Sequence, residues 1–226
     1  RPTIGVLTNI GSAHDEGFEN IVQKIDEKLL LFKDCPVIIY QKNEIVGFVK
    51  DGIVNPTVWK NEKTKIVFLF KEWNDPHKAN DDMRTFLQKG ARYSANTKEP
   101  TFNNITKWIK GITEECSYEE VGKINLEECI KQVNKVSCIN IKKEPGSAQA
   151  VPKELVFAAK RDYEYLYKQL KMYTDADVFI TCGKIVGDIV IHNVNSFDNP
   201  WRKSSVGELF KINNRNQIFI SFYHPN

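Results

Sequence analysis

An α/β fold, with helices on both faces of a mainly parallel sheet, is the architecture this sequence predicts, and two observations carry it. Apolar β-rich runs alternate with amphipathic helical patterns, as in sheets whose crossovers are helices. Three of those runs, in KIVFLFKEWNDP (65–76), SCINIKKEPG (137–146) and FISFYHPN (219–226), break into polar residues at their C-terminal ends. In an open α/β sheet such ends share one crevice, which brings Glu72, Asp75, Asn140 and His224 toward each other. An acid, an amide and an imidazole around one cleft suit recognition and hydrolysis of a small planar ligand.

Taken in order, TIGVLTNIG (3–11) reads as a strand ending in a loop. Over 16–33, Phe18, Ile21, Val22, Ile25, Leu29 and Phe32 recur at helical spacing on one face. VIIY (37–40) is the next strand. QKNEIVGFVKDGIVNP (41–56) holds two glycines, a proline and several charges, and reads as a connector. KIVFLF is a buried strand, followed by polar residues and a helix near 80–89. Thr101 is positioned to cap a helix through Lys110 that buries Phe102, Ile105, Trp108 and Ile109. Asn125 with Glu128 has the form of a capping box before a short helix. VSCINI is a central strand. The longest helical pattern spans 153–173, with Leu155, Ala159, Tyr163, Leu166, Leu170 and Tyr173 on one stripe. DVFITCG (177–183) is a further strand, KIVGDIVIHNV a helix, and QIFISFY the last strand. No internal repeat or low-complexity tract interrupts the pattern.

At 226 residues and 41% hydrophobic content, the chain can bury one good core, or one domain with an appendage. A net charge of +3 excludes a strongly basic nucleic-acid tail but not a local basic face. Residues 44–226 hold 27 of the 32 basic and 23 of the 29 acidic side chains, a mild excess compatible with phosphate contact. The five cysteines are odd in number and lack CxxC spacing, which speaks against a structural metal or iron–sulfur cluster. Cys138 and Cys182 lie in apolar runs and read as buried free thiols. With no signal peptide and no membrane-length apolar segment, the expected setting is cytoplasmic and without a membrane partner.

Five pieces in order carry a family resemblance: KIVFLFKEWNDP, Tyr93-Ser94, Pro100-Thr101-Phe102-Asn103-Asn104-Ile105, Ile139-Asn140 and His224-Pro225-Asn226. In order and approximate spacing, residues 48–226 resemble the uracil-DNA glycosylase superfamily. The resemblance implies a three-layer α/β sandwich that removes uracil or a related damaged base from DNA. It implies that Glu72, or Asp75 after a short insertion, activates water. Tyr93 would stack on the base, Thr101 would contact phosphate, Asn140 would read the base, and His224 would sit in the terminal motif. The acidic motif departs from the family's Gly-Gln-Asp-Pro-Tyr form, and Asn226 stands where the family has Ser. The chain ends there, so the loop that enters DNA in the family is expected to be missing. A second resemblance covers residues 1–43, where RPTIGVLTNIGSAHDEGFENIVQKIDEKLLLF is similar to the central domain of Mur ligases of the D-alanyl-D-alanine-adding type. It implies Asn9 and His14 at a nucleotide and Lys28 as a carbamylated magnesium-holding lysine. The Gly-Lys-Thr loop that anchors β/γ-phosphates is nowhere in the chain, so this segment reads as a remnant, a fusion or an artefact rather than a working ligase.

The chemistry expected of these residues follows from their donors and acceptors. Cleaving an N-glycosidic bond needs an unstacked base, stabilisation of the leaving base anion and a water aimed at the sugar carbon. A carboxylate near the developing sugar cation helps electrostatically as well as by orienting water. The Asn140 amide matches the O4 and N3–H edge of uracil, and cytosine presents the opposite pattern. His224 suits donation to the developing O2 oxyanion as a neutral imidazole. Lys142 and Lys143 are positioned to track the DNA backbone. The resemblance thus implies a hydrolase without metal or organic cofactor acting on DNA, single-stranded or as damaged duplex. Two other readings stay open. One is a nucleic-acid or nucleotide-binding module with weak catalysis, favoured by the unusual acidic motif and the expected absence of the loop. The other is a Mur ligase fragment with ATP affinity.

Overall fold

The computed structural model describes residues 4–7, 23, 27, 30–31, 37–40, 48–74, 82–90, 101–146, 151–194, 202–204, 207–211 and 217–225. The chain divides into two compact units, Arg1–Val46 and Gly47–Asn226. In the first, β1 (Ile4–Leu7) pairs in parallel with β2 (Val37–Tyr40), Ile4 opposite Val37 and Leu7 opposite Tyr40. Parallel neighbours need a crossover of a dozen or more residues, and Gln23, Glu27 and Leu30 between them are helical.

The second unit is built on a seven-stranded mixed sheet. Its strands are β3 (Gly52–Ile53), β4 (Ile66–Phe70), β5 (Ser137–Asn140), β6 (Val178–Cys182), β7 (Arg202–Ser204), β8 (Gly207–Lys211) and β9 (Ile218–Phe222), in spatial order β3-β5-β4-β6-β9-β8-β7. The four central strands run parallel, while β3, β8 and β7 are joined by antiparallel pairings. The sheet is therefore mixed, with three parallel and three antiparallel pairings.

β4 is central because all five of its side chains are apolar and buried. They alternate between two cores. Val67 and Leu69 join Ile139, Phe179 and Phe219 on one face, and Ile66, Phe68 and Phe70 join Cys138, Ile180 and Cys182 on the other. This is the period-two geometry of a strand covered on both sides.

Helices cover each face. The first core is closed by Trp59 of α1 (Pro56–Asn61) and by α6 (Pro152–Arg161), α7 (Tyr163–Met172) and α8 (Lys184–Ile189). The second is closed by α2 (Met83–Gln88), α3 (Thr101–Glu114) and α5 (Leu126–Val133). The short α4 (Tyr118–Val121) precedes α5, and α8 continues as a π-helical turn over Val190–Val194.

Strands β7 and β8 and the short α4 were not expected, and α3 begins at Thr101 and runs on to Glu114 rather than Lys110. Three further expectations are changed. The connector over 41–56 contains β3 and leads into α1, whose start is fixed by Asn55: its side-chain oxygen accepts from the backbone N–H groups of Thr57 and Val58 with Pro56 at the first turn. The helical pattern over 153–173 is two helices meeting at Asp162, which carries their shared stripe: Leu155, Ala159, Leu166, Leu170 and Tyr173 are buried, whereas Tyr163 is exposed and stacks on Tyr167. Asn125 caps α5 through the Glu128 N–H, but the capping box with both bonds present is Ser117–Glu120, at α4. Cys138 and Cys182 are free and fully buried, and burial raises both thiols' pKa.

Candidate functional site

In chain order the parallel strands are β4, β5, β6 and β9, but in space they lie β5-β4-β6-β9. The first crossover runs one way from β4 and the next returns past it, so the direction reverses between β4 and β6. Beyond the carboxyl ends of strands at such a reversal lies the crevice where α/β sheets bind ligands. Asn140 ends β5, Glu72 follows β4 by two residues, and His224 follows β9 by two. All three lie at this edge of the sheet.

The β4 and β5 chains stay together past their strands. Phe70 and Lys71 carbonyls accept from the N–H groups of Ile141 and Lys142, each at 2.9 Å, and the Trp73 carbonyl accepts from Gly146 at 2.8 Å. This places Glu72 beside Lys142, with Glu72 Oε2 and Lys142 Nζ 3.0 Å apart and their side chains only 5% and 14% exposed. Lys142 also reaches Glu154 at the start of α6, at 3.5 Å. Burial works against the lysine's charge, but Glu72 and then Glu154 outweigh it and hold its pKa above the ordinary value. Gly146 lets Glu72 approach closely, since a Cβ on it would run into the Glu72 carboxylate and push it away from its pair. Lys142 forms part of the wall of a surface recess of about 470 Å³, shared with Lys153, Phe157 and Arg161. Arg161 is held by Asp162 and Glu144, which raise its pKa.

Asn140 is 1% exposed. Its backbone N–H donates to Asp51 Oδ2 at 2.7 Å. Its carboxamide nitrogen meets only the Met83 sulfur, at 3.3 Å, and its carboxamide oxygen is buried without a hydrogen-bond partner. Sulfur is a weak acceptor, so a buried amide at the mouth of the sheet is left with most of its hydrogen-bonding capacity unused. A group in that state costs about 1–3 kcal/mol of stability, which calls for a functional reason.

At the reversal itself stands Gly183, in a left-handed conformation (φ +118°) that favours glycine. A Cβ there would lie 3.5 Å from Lys71 Cε and 3.8 Å from His224 Cβ, so both side chains close over this glycine. The Asn104 carboxamide of α3 donates to the Pro225 carbonyl at 3.0 Å. That contact joins the first turn of α3 to the terminal His224-Pro225 segment, 121 positions on in the chain.

The expected residues therefore reach one edge with different neighbours. Glu72 has Lys142 and Gly146, Asn140 has Asp51 and Met83, and His224 has Lys71 and Gly183. Glu72 and Lys142, expected as acid and phosphate contact, form an ion pair instead of standing separately. Lys143 is drawn inward to Asp51, its side chain 11% exposed, and does not stand on a solvated surface as a backbone-tracking lysine would. Asp75, Tyr93, Asn226, Asn9, His14 and Lys28 lie outside the described residues. Asp51 and Lys71 were not anticipated. Asp51 sat in a charged, glycine-containing connector, and its partners are 89, 92 and 118 residues away, so no local pattern marked it.

No protein-family model and no curated protein matches this chain. Among the described residues, no helix is long and apolar enough to cross a membrane.

Proposed function

We propose that residues 47–226 form a uracil-DNA glycosylase-like, three-layer α/β sandwich. It binds uracil or a related damaged pyrimidine in DNA and hydrolyses the bond between base and deoxyribose. The observation that carries this reading is the Asn140 carboxamide: buried at the C-terminal edge of the sheet, beside a reversal of strand order, with its acceptor unpartnered. A uracil edge offers that amide one donor and one acceptor, and cytosine presents the reverse. Across β5-β4-β6-β9, Asn140 and His224 stand three strand spacings apart, about 14 Å. One ring can be shared only if both side chains lean over the ends of β4 and β6, and His224 already lies at Gly183 next to β6.

In this reading Glu72 orients water toward the sugar carbon and opposes the developing positive charge. His224 donates to the base oxygen as the bond breaks. The proton, water and charge are all handled by side chains, and the products are a free base and an abasic sugar. The test is incubation with uracil-containing oligonucleotides, single- and double-stranded, followed by alkali to reveal abasic sites. Strand breaks that vanish in Glu72→Gln and in Asn140→Ala support the proposal; equal breakage in both variants removes it.

One observation favours a second reading. The Glu72 carboxylate is 5% exposed and already paired with Lys142, which suits a base-binding module more than a ready water-activating acid. Such a module binds uracil-containing DNA, loses affinity as salt rises and leaves no abasic sites.

A further inference from the structure

At the edge that holds Asn140, a buried acid has no part in the chemistry above. The side chain of Asp51 is 2% exposed. The β3 ladder runs out at Gly52, opposite Cys138. Past that point the Asp51 carboxylate takes over from the strand, with Oδ2 accepting the Asn140 N–H at 2.7 Å. The same oxygen accepts from Lys143 Nζ at 2.6 Å, and Oδ1 accepts from the Gln169 side-chain amide at 2.9 Å. Lys143 also donates to Gln169 Oε1 at 2.8 Å. Three side chains, from just before β3, just past β5 and the middle of α7, thus close a ring that holds one buried ion pair.

The preceding residue holds Asn140 from its other end. The Lys50 carbonyl accepts the Met83 N–H at 2.9 Å, and Met83 carries the sulfur that touches the Asn140 carboxamide. Neighbouring residues 50 and 51 therefore fix both the backbone and the side-chain surroundings of Asn140. Replacing a buried ion pair by apolar groups of similar volume is often neutral or stabilising, so stability alone is a weak reason to keep one.

We propose that Asp51 is the positioning residue for Asn140: by taking its N–H and anchoring Lys143 and Gln169, it fixes the direction in which the carboxamide faces a bound pyrimidine. This inference rests on the base-reading role of Asn140. It makes the specificity of Asn140 depend on a residue behind it, which acts through the Asn140 backbone. A misdirected amide still binds nucleic acid, but it no longer separates uracil from cytosine.

The test compares two double variants of the full chain that remove both charges and differ in one acceptor. Asp51→Leu/Lys143→Met leaves the Asn140 N–H without an acceptor, and Asp51→Asn/Lys143→Met keeps one. Binding is measured to single-stranded oligonucleotides carrying one uracil or one cytosine, with Asn140→Ala as control and thermal melts to establish folding. Loss of a directed hydrogen bond in a discriminating site predicts that the uracil preference falls about tenfold in Asp51→Leu/Lys143→Met and stays within about threefold of wild type in Asp51→Asn/Lys143→Met. If both doubles keep the wild-type preference while Asn140→Ala loses it, positioning by Asp51 is wrong and base reading stands. A wild-type preference in Asn140→Ala, or none in the wild type, removes base reading and this inference with it. Should Asp51→Leu/Lys143→Met fail to fold, Gln169→Leu releases only Oδ1. A partial loss of preference there supports the proposal, and an unchanged preference overturns it.

Discussion

Glu72 and Lys142 hold each other at 3.0 Å with little solvent around either, and that mutual dependence can be measured. Removing one member of a buried pair leaves an uncompensated charge, whereas removing both leaves none. Lys142→Met is therefore predicted to lower stability by about 3–5 kcal/mol in urea unfolding, and Glu72→Gln/Lys142→Met to recover most of it. Equal losses in the single and double variants would mean that the pair is solvated in solution. Asn140 makes the opposite case. Its carboxamide oxygen is buried without a partner, so the residue is a burden on the fold. Asn140→Val, apolar and only slightly larger, is predicted to raise stability by about 1 kcal/mol, since an unsatisfied buried polar group is removed. It would abolish any preference for uracil. A destabilised Asn140→Val would argue that the amide has a structural partner, and base reading would lose its main support.

Among the elements, β4, β5, β6 and β9 were legible because each is a short apolar run with a polar break, and three of those breaks carry the candidate site. α1 and the split of α6 from α7 were less so. Asn55 and Pro56 do signal a helix start, but charged residues around them masked it, and Asp162 interrupts the backbone without interrupting the apolar stripe. The pairing of Glu72 with Lys142 was hidden because it depends on two strand ends running side by side, 70 positions apart in the chain. Tyr173 after α7 is another long-range tie. Its hydroxyl meets Ser137 Oγ of β5 at 2.8 Å and packs on Gly52 of β3. Burial pushes its pKa up to about 12, with the Ser137 hydrogen bond acting against the rise. An ordinary tyrosine in the unfolded chain ionises near 10, so between about pH 10 and 12 the folded state holds the extra proton. Stability is then fully present below pH 10 and falls as pH rises toward 12, by roughly 2–3 kcal/mol. Tyr173→Phe is predicted to flatten that fall in urea unfolding at pH 9 to 11.5. An unchanged slope would show that other groups govern alkaline unfolding.

For the molecule as a whole, the sheet order and the placement of its cores bear on which part of the chain is needed. Both hydrophobic cores draw their residues from between Val49 and Phe222, and every strand of the seven-stranded sheet lies in Gly47–Asn226. The Asp51 ring, the Glu72–Lys142 pair and the Gly183 reversal are internal to that unit as well. At 180 residues it is large enough to bury roughly 70% of the surface its unfolded chain exposes, which suffices for independent folding. The segment Arg1–Val46 contributes a two-stranded parallel sheet of its own. An isolated two-stranded pair is marginal in water. Deleting residues 1–46 is therefore predicted to leave a protein that unfolds in one cooperative transition, with its affinity for uracil-containing oligonucleotide within about twofold of the full chain, since both cores and the candidate site residues belong to Gly47–Asn226. The converse fragment, residues 1–46 alone, should give no cooperative thermal transition by circular dichroism. If the deletion abolishes folding, the larger unit depends on the N-terminal segment. If it folds but loses the oligonucleotide, a determinant of binding lies in the first 46 residues and the crevice at the sheet edge is not the whole site.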